Sequence, residues 1–327
     1  MLFRSHEPPS NSQQQAQISL HDSFPLISNE ESFVNAIKMI PIHEKTGYLT
    51  ALQRCPDLIQ KESDPYLFIN FEKNNLVAAA TRLVKYWEWR TVLFDEFAYF
   101  PLLEINIHLC NTEFKSLLDN NAIFLLPETD EEKNLLAYFD VSRLCKSKNV
   151  LTPKDLCQVV FYTWTIAFNV LHQLKQHKEH DNGAQQRSAF QFNEQGRGIY
   201  DDVGITLIKL IHIEMLDDQF TINLAAIWKE AFPIRTQYMH AVFMSTDLAQ
   251  SLAPHGIQKL NQAFSSFLPV IPHFGANSNE SNIATNLAMY GITNAYALPI
   301  TIGGQKSVFP TSYKEVLSLF LTEGILE

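Results

Sequence analysis

Apolar positions recur at helical spacing in the first part of the chain and at strand spacing later. Ser28-x-x-Glu31 ahead of Phe33, Ile37 and Ile40 reads as a capping box opening an amphipathic helix, which Pro41 stops. From Tyr48 to Leu93 the pattern is helical throughout. It is clearest over Leu76–Arg90, where Leu76, Ala80, Leu83, Val84 and Trp87 return every three or four residues. After about Phe94 the period changes. Ala122–Leu126 and Asn134–Asp140 are short apolar runs flanking the acidic stretch 128–132, which predicts two strands and a charged turn. Thr152-Pro153-x-Asp155 then opens a helix with a capping hydroxyl, a proline at the first helical position and a carboxylate in the first turn. Leu156, Val159, Val160, Ile166, Ala167, Val170 and Leu171 follow on one face.

His172–Arg197 is rich in Gln, His and Lys and predicts an inserted polar loop. Gly204–Ile213 is a continuous, largely β-branched run, the mark of a strand buried on both faces. A helix over about Thr221–Phe232 and a second apolar run, Tyr238–Ser245, complete a βαβ unit with parallel strands and a right-handed crossover. A further helix is expected over about Leu248–Leu268, and an extended stretch over Ala295–Gly304. A last helix over Ser312–Thr322 has Ser312-x-x-Glu315 at its start and Gly324 as its stop. The fold class is therefore α/β. The expected organisation is a disordered tail (1–27), a helical N-terminal lobe (28–95), an α/β lobe (96–305, with a polar insertion at 173–197) and a C-terminal helix (306–327).

Composition narrows the function classes. The chain has 327 residues, 46% of them hydrophobic, with 23 Phe against 11 Gly, which excludes collagen-like and wholly disordered chains and permits a large core. A net charge of −10 without a run of Lys or Arg argues against nucleic acid as a partner. Met1–Gln17 is polar and does not read as a signal peptide. The longest apolar stretch, Leu156–Leu171, is interrupted by polar residues and falls short of the ~20 residues that a membrane span needs. Cys55, Cys110, Cys145 and Cys157 lie far apart, so they read as reduced thiols of a cytoplasmic protein.

Catalytic motifs are sparse. There is no Gly-x-Ser-x-Gly elbow and no phosphate-cradling Gly-x-x-x-x-Gly-Lys. Gly196-Arg-Gly198 lacks the third glycine and the preceding strand of a dinucleotide site. His172, His177 and His180 form the one metal-like group, but a helix end and a solvated loop do not converge ligands as zinc requires. The carboxylates of 128–132 read as an exposed turn without the burial that tunes catalytic groups. The expectation is a non-enzyme with no cofactor and no metal.

One set of motifs stands together in order and spacing. Asp64-Pro-Tyr-Leu-Phe68, Ala80-Thr-Arg-Leu83 and Trp87-Glu-Trp-Arg90 resemble the helical N-terminal module of the CRAL-TRIO (Sec14-like) lipid-binding family. Gly204-Ile-Thr-Leu-Ile208 resembles that family's central strand, and Phe232-Pro-Ile-Arg235 its aromatic-Pro-x-basic turn. Tyr238–Val242 resembles the strand that follows the turn, and Leu298-Pro299 with Gly303-Gly304 the closing signature. The chain departs from the family at Asn70 and Glu72, where two Arg are frequent, and at Ile234, which is acidic in members that read an inositol head group. The Asp-x-x-Gly end of the central strand and the later Asn-x-Pro are also missing. These departures argue against the best-known mode of phosphoinositide recognition.

The resemblance implies a mixed, largely parallel sheet flooring an apolar pocket with helical walls and a movable gate. Carried over by position, the wall residues are Val160 and Trp164, Leu224, Ile227 and Trp228, Ile205 and Leu207, and Met239. The implied function is to bind a lipid or other hydrophobic small molecule and to transfer or present it between membranes, with a transient membrane surface as partner. The alternative is an interaction scaffold of the same fold whose cavity is filled, the same stripes making a solid core. Lys209 shares strand parity with Ile205 and Leu207. Either it meets a ligand head group or a bulge returns it to solvent. The gate candidate is about Leu248–Leu268, with Phe264, Phe267 and Leu268 as surface-seeking residues, and Arg235 is a candidate at the mouth.

Overall fold

Helical periodicity becomes separate helices wherever a proline or a cap fixes a boundary. The computed structural model describes residues 29–104, 122–132, 134–140, 152–181, 205–211, 218–243, 247–274, 281–293, 298–299, 302, 304–305 and 313–322. Helix α1 spans Asn29–Met39, α2 Thr46–Arg54, α3 Pro56–Glu62, α4 Pro65–Phe71 and α5 Leu76–Phe94. The expected tail 1–27 and the cap Ser28 lie outside the described residues. Pro56 and Pro65 open their helices, where a missing N–H costs nothing. Asp64 caps α4 by accepting a hydrogen bond from the Tyr66 amide at 2.9 Å. The stretch expected to be helical throughout is thus cut into short rods. At the last cut Lys73 and Asn74 take left-handed φ values of 51° and 65°, and Asn75 Oδ1 accepts from the Ala78 amide at 3.2 Å to start α5.

A buried ion pair ties these rods together. Arg90 Nη1 lies 2.8 Å from Glu62 Oε2, and both side chains are buried. Arg90 also donates to the carbonyls of Ala98 and Phe100, each at 2.7 Å. Glu62 accepts from the amides of Leu102 at 3.1 Å and Leu103 at 2.8 Å. A buried charge pair is tolerated only when its remaining donors and acceptors are used in this way.

The described strands form one sheet. Strands β1 (Ile123–Thr129) and β2 (Leu135–Asp140) pair antiparallel, while β3 (Ile205–Ile211), β4 (Thr236–Phe243) and β5 (Val270–Phe274) continue in parallel. The spatial order β1-β2-β3-β4-β5 is the chain order. Helices α6 (Pro153–Asp181), α7 (Asp218–Glu230) and α8 (Asp247–Phe264) make the parallel crossovers. Residues of all three helices join one apolar cluster on one face of the sheet, as right-handed crossovers that step the same way require. Strand alternation sends Leu125, Ala137, Leu207 and Met239 into that helical layer. Phe124, Tyr138, Ile208 and Val242 face the other way, toward α9 (Ser281–Ala288) and Ile292, Leu298 and Ile302. The α/β class and the parallel β3–β4 pair are as the sequence pattern predicts, and the sheet is mixed and mostly parallel. Helix α5 packs on α6 and α7, and its Leu83, Tyr86 and Trp87 belong to the same apolar cluster as the helical face of the sheet.

Several local expectations need correction. Helix α6 runs on through Asp181, so residues 173–181 are helical rather than loop; 182–197 lie outside the described residues. Its start is a reciprocal box, with Thr152 Oγ1 donating to Asp155 Oδ2 at 2.7 Å and the Asp155 amide donating to Thr152 Oγ1 at 3.2 Å. Asp130 is not an exposed turn carboxylate. It is buried and accepts from the Asn134 amide and from Thr206 Oγ1, each at 2.8 Å, pinning the β1–β2 turn to β3. The stretch expected to be extended closes a turn at its end, where the amides of Ile302 and Gly304 donate to the Pro299 carbonyl at 3.1 and 2.9 Å. A Cβ at Gly304 would lie 1.8 Å from the Leu298 carbonyl oxygen, so only glycine fits there. Strand β5 and helix α9 have no counterpart among the predicted elements. The last helix, α10, spans Tyr313–Thr322. Among the described residues, no helix is long and apolar enough to cross a membrane.

Candidate functional site

The residues singled out as a pocket wall come together between the sheet and α6–α8. Val160 and Trp164 on α6, Leu224, Ile227 and Trp228 on α7, Leu207 on β3 and Met239 on β4 are all buried in one apolar cluster. Leu207 and Met239 are direct register partners across the β3–β4 pair. Ile205 occupies β3 opposite Leu135 and Thr236; its side chain lies outside the described part of the structure.

The helical side of the layer is aromatic. Trp164 stacks on Trp228 with ring centroids 4.9 Å apart and planes inclined by 26°. Phe264 of α8 adds a tilted contact to Trp228 at 5.5 Å. Phe264 and Leu268 are therefore fully buried, which overturns their reading as surface-seeking residues of a gate; Phe267 is half-buried. The cause is topological: the β4–α8–β5 crossover must lay one face of α8 on the sheet, Phe264 ends that face, and Leu268 follows in the turn that leads into β5.

Lys209 is the unusual member. It sits in regular pairing, opposite Phe139 on β2 and Ala241 on β4, so no bulge turns it out to solvent. Its side chain is 0% exposed, and Nζ has no hydrogen-bond partner among the described residues. The ammonium lies 5.4 Å from the Phe139 ring centroid and 5.6 Å from that of Phe220 on α7, whose faces offer it a weak electrostatic attraction. Burial alone pulls its pKa down from 10.5 to about 8. It remains mostly charged at neutral pH, in a site where a charge without a counter-ion is costly.

A second donor in the layer is also unmatched: Trp228 Nε1 is buried without a partner among the described residues. Phe220 and Trp228 are eight positions apart on α7, about 12 Å along its axis. The two orphan donors thus lie toward opposite ends of this helix. The other buried unpartnered atoms, Gln158 Oε1 and His240 Nε2, lie elsewhere. Gln158 bridges α6 to α5 through the Leu93 carbonyl, and His240 is on the opposite sheet face.

That opposite face holds a polar pair that sequence reading missed. His240 Nδ1 and His273 Nε2 share a hydrogen bond of 2.9 Å, and Tyr290 packs edge-on against both rings. Burial first, and the neighbouring imidazole second, push His240 down to about 3; burial also lowers His273. The two residues are 33 positions apart, so only strand pairing reveals them.

Arg82, within the Ala80–Leu83 motif, is a further missed residue. Its Nη1 donates to the carbonyls of Lys229 at 2.7 Å and Phe232 at 3.3 Å, satisfying the C-terminus of α7. Its Nε pairs with Glu72 at 2.5 Å, and the guanidinium covers the Phe71 ring. Glu72 is the counter-ion of this clamp. Arg235 is half-buried between α7 and β4. His172 lies half-buried on α6, and the side chains of His177 and His180 and the pair Gly196 and Gly198 lie outside the described part. Compared with known proteins, the chain matches no family model and no curated protein.

Proposed function

We propose that this protein binds a hydrophobic small molecule, most simply a lipid, between its sheet and helices α6–α7, and that it transfers or presents that molecule at a membrane surface. The observation that carries the reading is Lys209: a buried ammonium, without a partner among the described residues, in an apolar layer and flanked by aromatic rings. A cation in that position is a standing cost to folding unless an acceptor completes it. The orphan N–H of Trp228 in the same layer supports the same reading. The resemblance of the sequence motifs to lipid-binding CRAL-TRIO proteins points the same way. The activity proposed is reversible extraction without a catalytic step, in which each buried CH₂ contributes about 0.8 kcal/mol.

The test is native mass spectrometry of the full chain, before and after exposure to mixed-lipid vesicles. Retained ligand whose mass appears in the organic extract is the expected result. A bare protein that takes up nothing refutes the reading. A second reading, a filled-core interaction scaffold, is favoured by one observation: Trp164, Trp228 and Phe264 already occupy the wall with ring-to-ring contacts. It predicts that no lipid is taken up.

A further inference from the structure

The position and surroundings of Lys209 go beyond "a hydrophobic molecule" to the chemistry of its head. The ammonium lies in the interior, at the centre of a row formed by Phe139, Lys209 and Ala241 on neighbouring strands. Ala241 leaves the β4 side of that row without bulk, whereas Phe139 and Phe220 flank the ammonium. No charged group of the described residues contributes to the titration of Lys209, whose only perturbing cause is burial. Among the described residues this positive charge has no counter-ion, so one negative charge brought by a ligand would balance it.

We infer that the ligand is a single-chain acidic amphiphile, a long-chain carboxylate bound head-inward, its carboxylate on Lys209 Nζ and its tail along the aromatic layer of α6 and α7. The inference rests on the hydrophobic-ligand reading above. A carboxylate supplies the single charge and the acceptor oxygens in a small planar group. A phosphomonoester brings close to two negative charges at neutral pH, leaving one unbalanced in the interior. A phosphodiester carries one charge but is substituted on both sides, so its head group is bulkier than a carboxylate beside an ammonium already flanked by the Phe139 and Phe220 rings. A neutral alcohol offers the same apolar chain but leaves the ammonium without a counter-charge. Such a site ranks its ligands by charge and head size together.

The experiment uses the delipidated full chain and its variants Lys209→Met and Lys209→Gln, checked for folding by circular dichroism. The probes are [1-¹³C]hexadecanoate below its micellar concentration, hexadecan-1-ol, acetate and phosphatidylglycerol vesicles. The expected result is that the wild-type chain binds hexadecanoate at least tenfold more tightly than hexadecan-1-ol and shows no measurable affinity for acetate. Both variants lose that preference while still taking the alcohol, and the ¹³C resonance of the bound carboxylate differs between wild type and variant. Equal affinity for acid and alcohol, a preference surviving in both variants, or preferential uptake of phosphatidylglycerol overturns the inference and leaves the hydrophobic-ligand reading in place. If no apolar probe binds the wild type, that broader reading fails, and the inference with it.

Discussion

Replacing Lys209 by Met tests the energetic reasoning directly. The fall of this ammonium from 10.5 to about 8 corresponds to about 3 kcal/mol of destabilisation of the folded state at neutral pH. Met keeps most of the aliphatic stem and carries no charge, and its loss of attraction to the Phe139 and Phe220 rings returns about 1 kcal/mol. The ligand-free variant is therefore expected to be more stable by about 1–3 kcal/mol, raising the urea midpoint by up to about 1 M for a slope near 3 kcal/mol/M. The pH dependence fixes the sign. Below about 8 Lys209 is charged in both folded and unfolded chains and the full penalty applies. Between about 8 and 10.5 the folded chain holds fewer protons than the unfolded one, so stability of the wild type rises with pH. Above 10.5 the penalty is gone. The gap between variant and wild type must close across that window, because the remaining titrations are common to both. A variant that is less stable than the wild type, with a gap that does not move between pH 8 and 10.5, refutes the claim that Lys209 is an uncompensated charge.

Other substitutions probe the frame around it. Trp164→Ala should cost about 3–5 kcal/mol, because its stack on Trp228 closes the aromatic layer; the change is read by thermal or urea unfolding. Glu62→Gln should cost about 3–5 kcal/mol by leaving Arg90 as a buried charge without its counter-ion, measured by the same assay. Arg82→Met should lower stability by about 1–3 kcal/mol by freeing the Lys229 and Phe232 carbonyls and the Glu72 carboxylate, with the largest loss of amide-exchange protection at the end of α7. For His240, held down to about 3 against 6.5, the folded chain binds fewer protons than the unfolded one between those values. Stability is complete above 6.5 and falls as the pH drops toward 3. His240→Gln should flatten that acid slope in pH-dependent unfolding.

What the sequence made legible was local. The β-branched run over 205–211 announces a strand with two neighbours, and the Thr152–Asp155 box announces α6, because both signals are contained within a few residues. Strand β5 is hidden because it is five residues long and contains Pro272, which suits an edge rather than the interior of a sheet. The burial of Asp130 is invisible in the acidic stretch because its partner, Thr206, lies 76 residues away on β3. The wall residues could be placed together by resemblance, and the structure does bring together those whose side chains it describes. Strand parity put Lys209 on the apolar face, but parity cannot decide between a buried ammonium and a bulge. That outcome depends on the register of β2 and β4 on either side and on Phe220 closing over it from α7. The gate reading fails at Phe264 for the complementary reason: an apolar helix face looks the same in sequence whether it meets a bilayer or a sheet.

The most direct test of the account is photocrosslinking with a hexadecanoate analogue that carries a diazirine in its chain, followed by peptide mapping. The account predicts labelling that saturates, is displaced by unlabelled hexadecanoate and maps to Val160, Trp164 and their neighbours on α6, to Leu224–Trp228 on α7 and to β3 around Leu207. Labelling confined to exposed positions such as Met39, Ile42 or Met289, or no displaceable label at all, contradicts it.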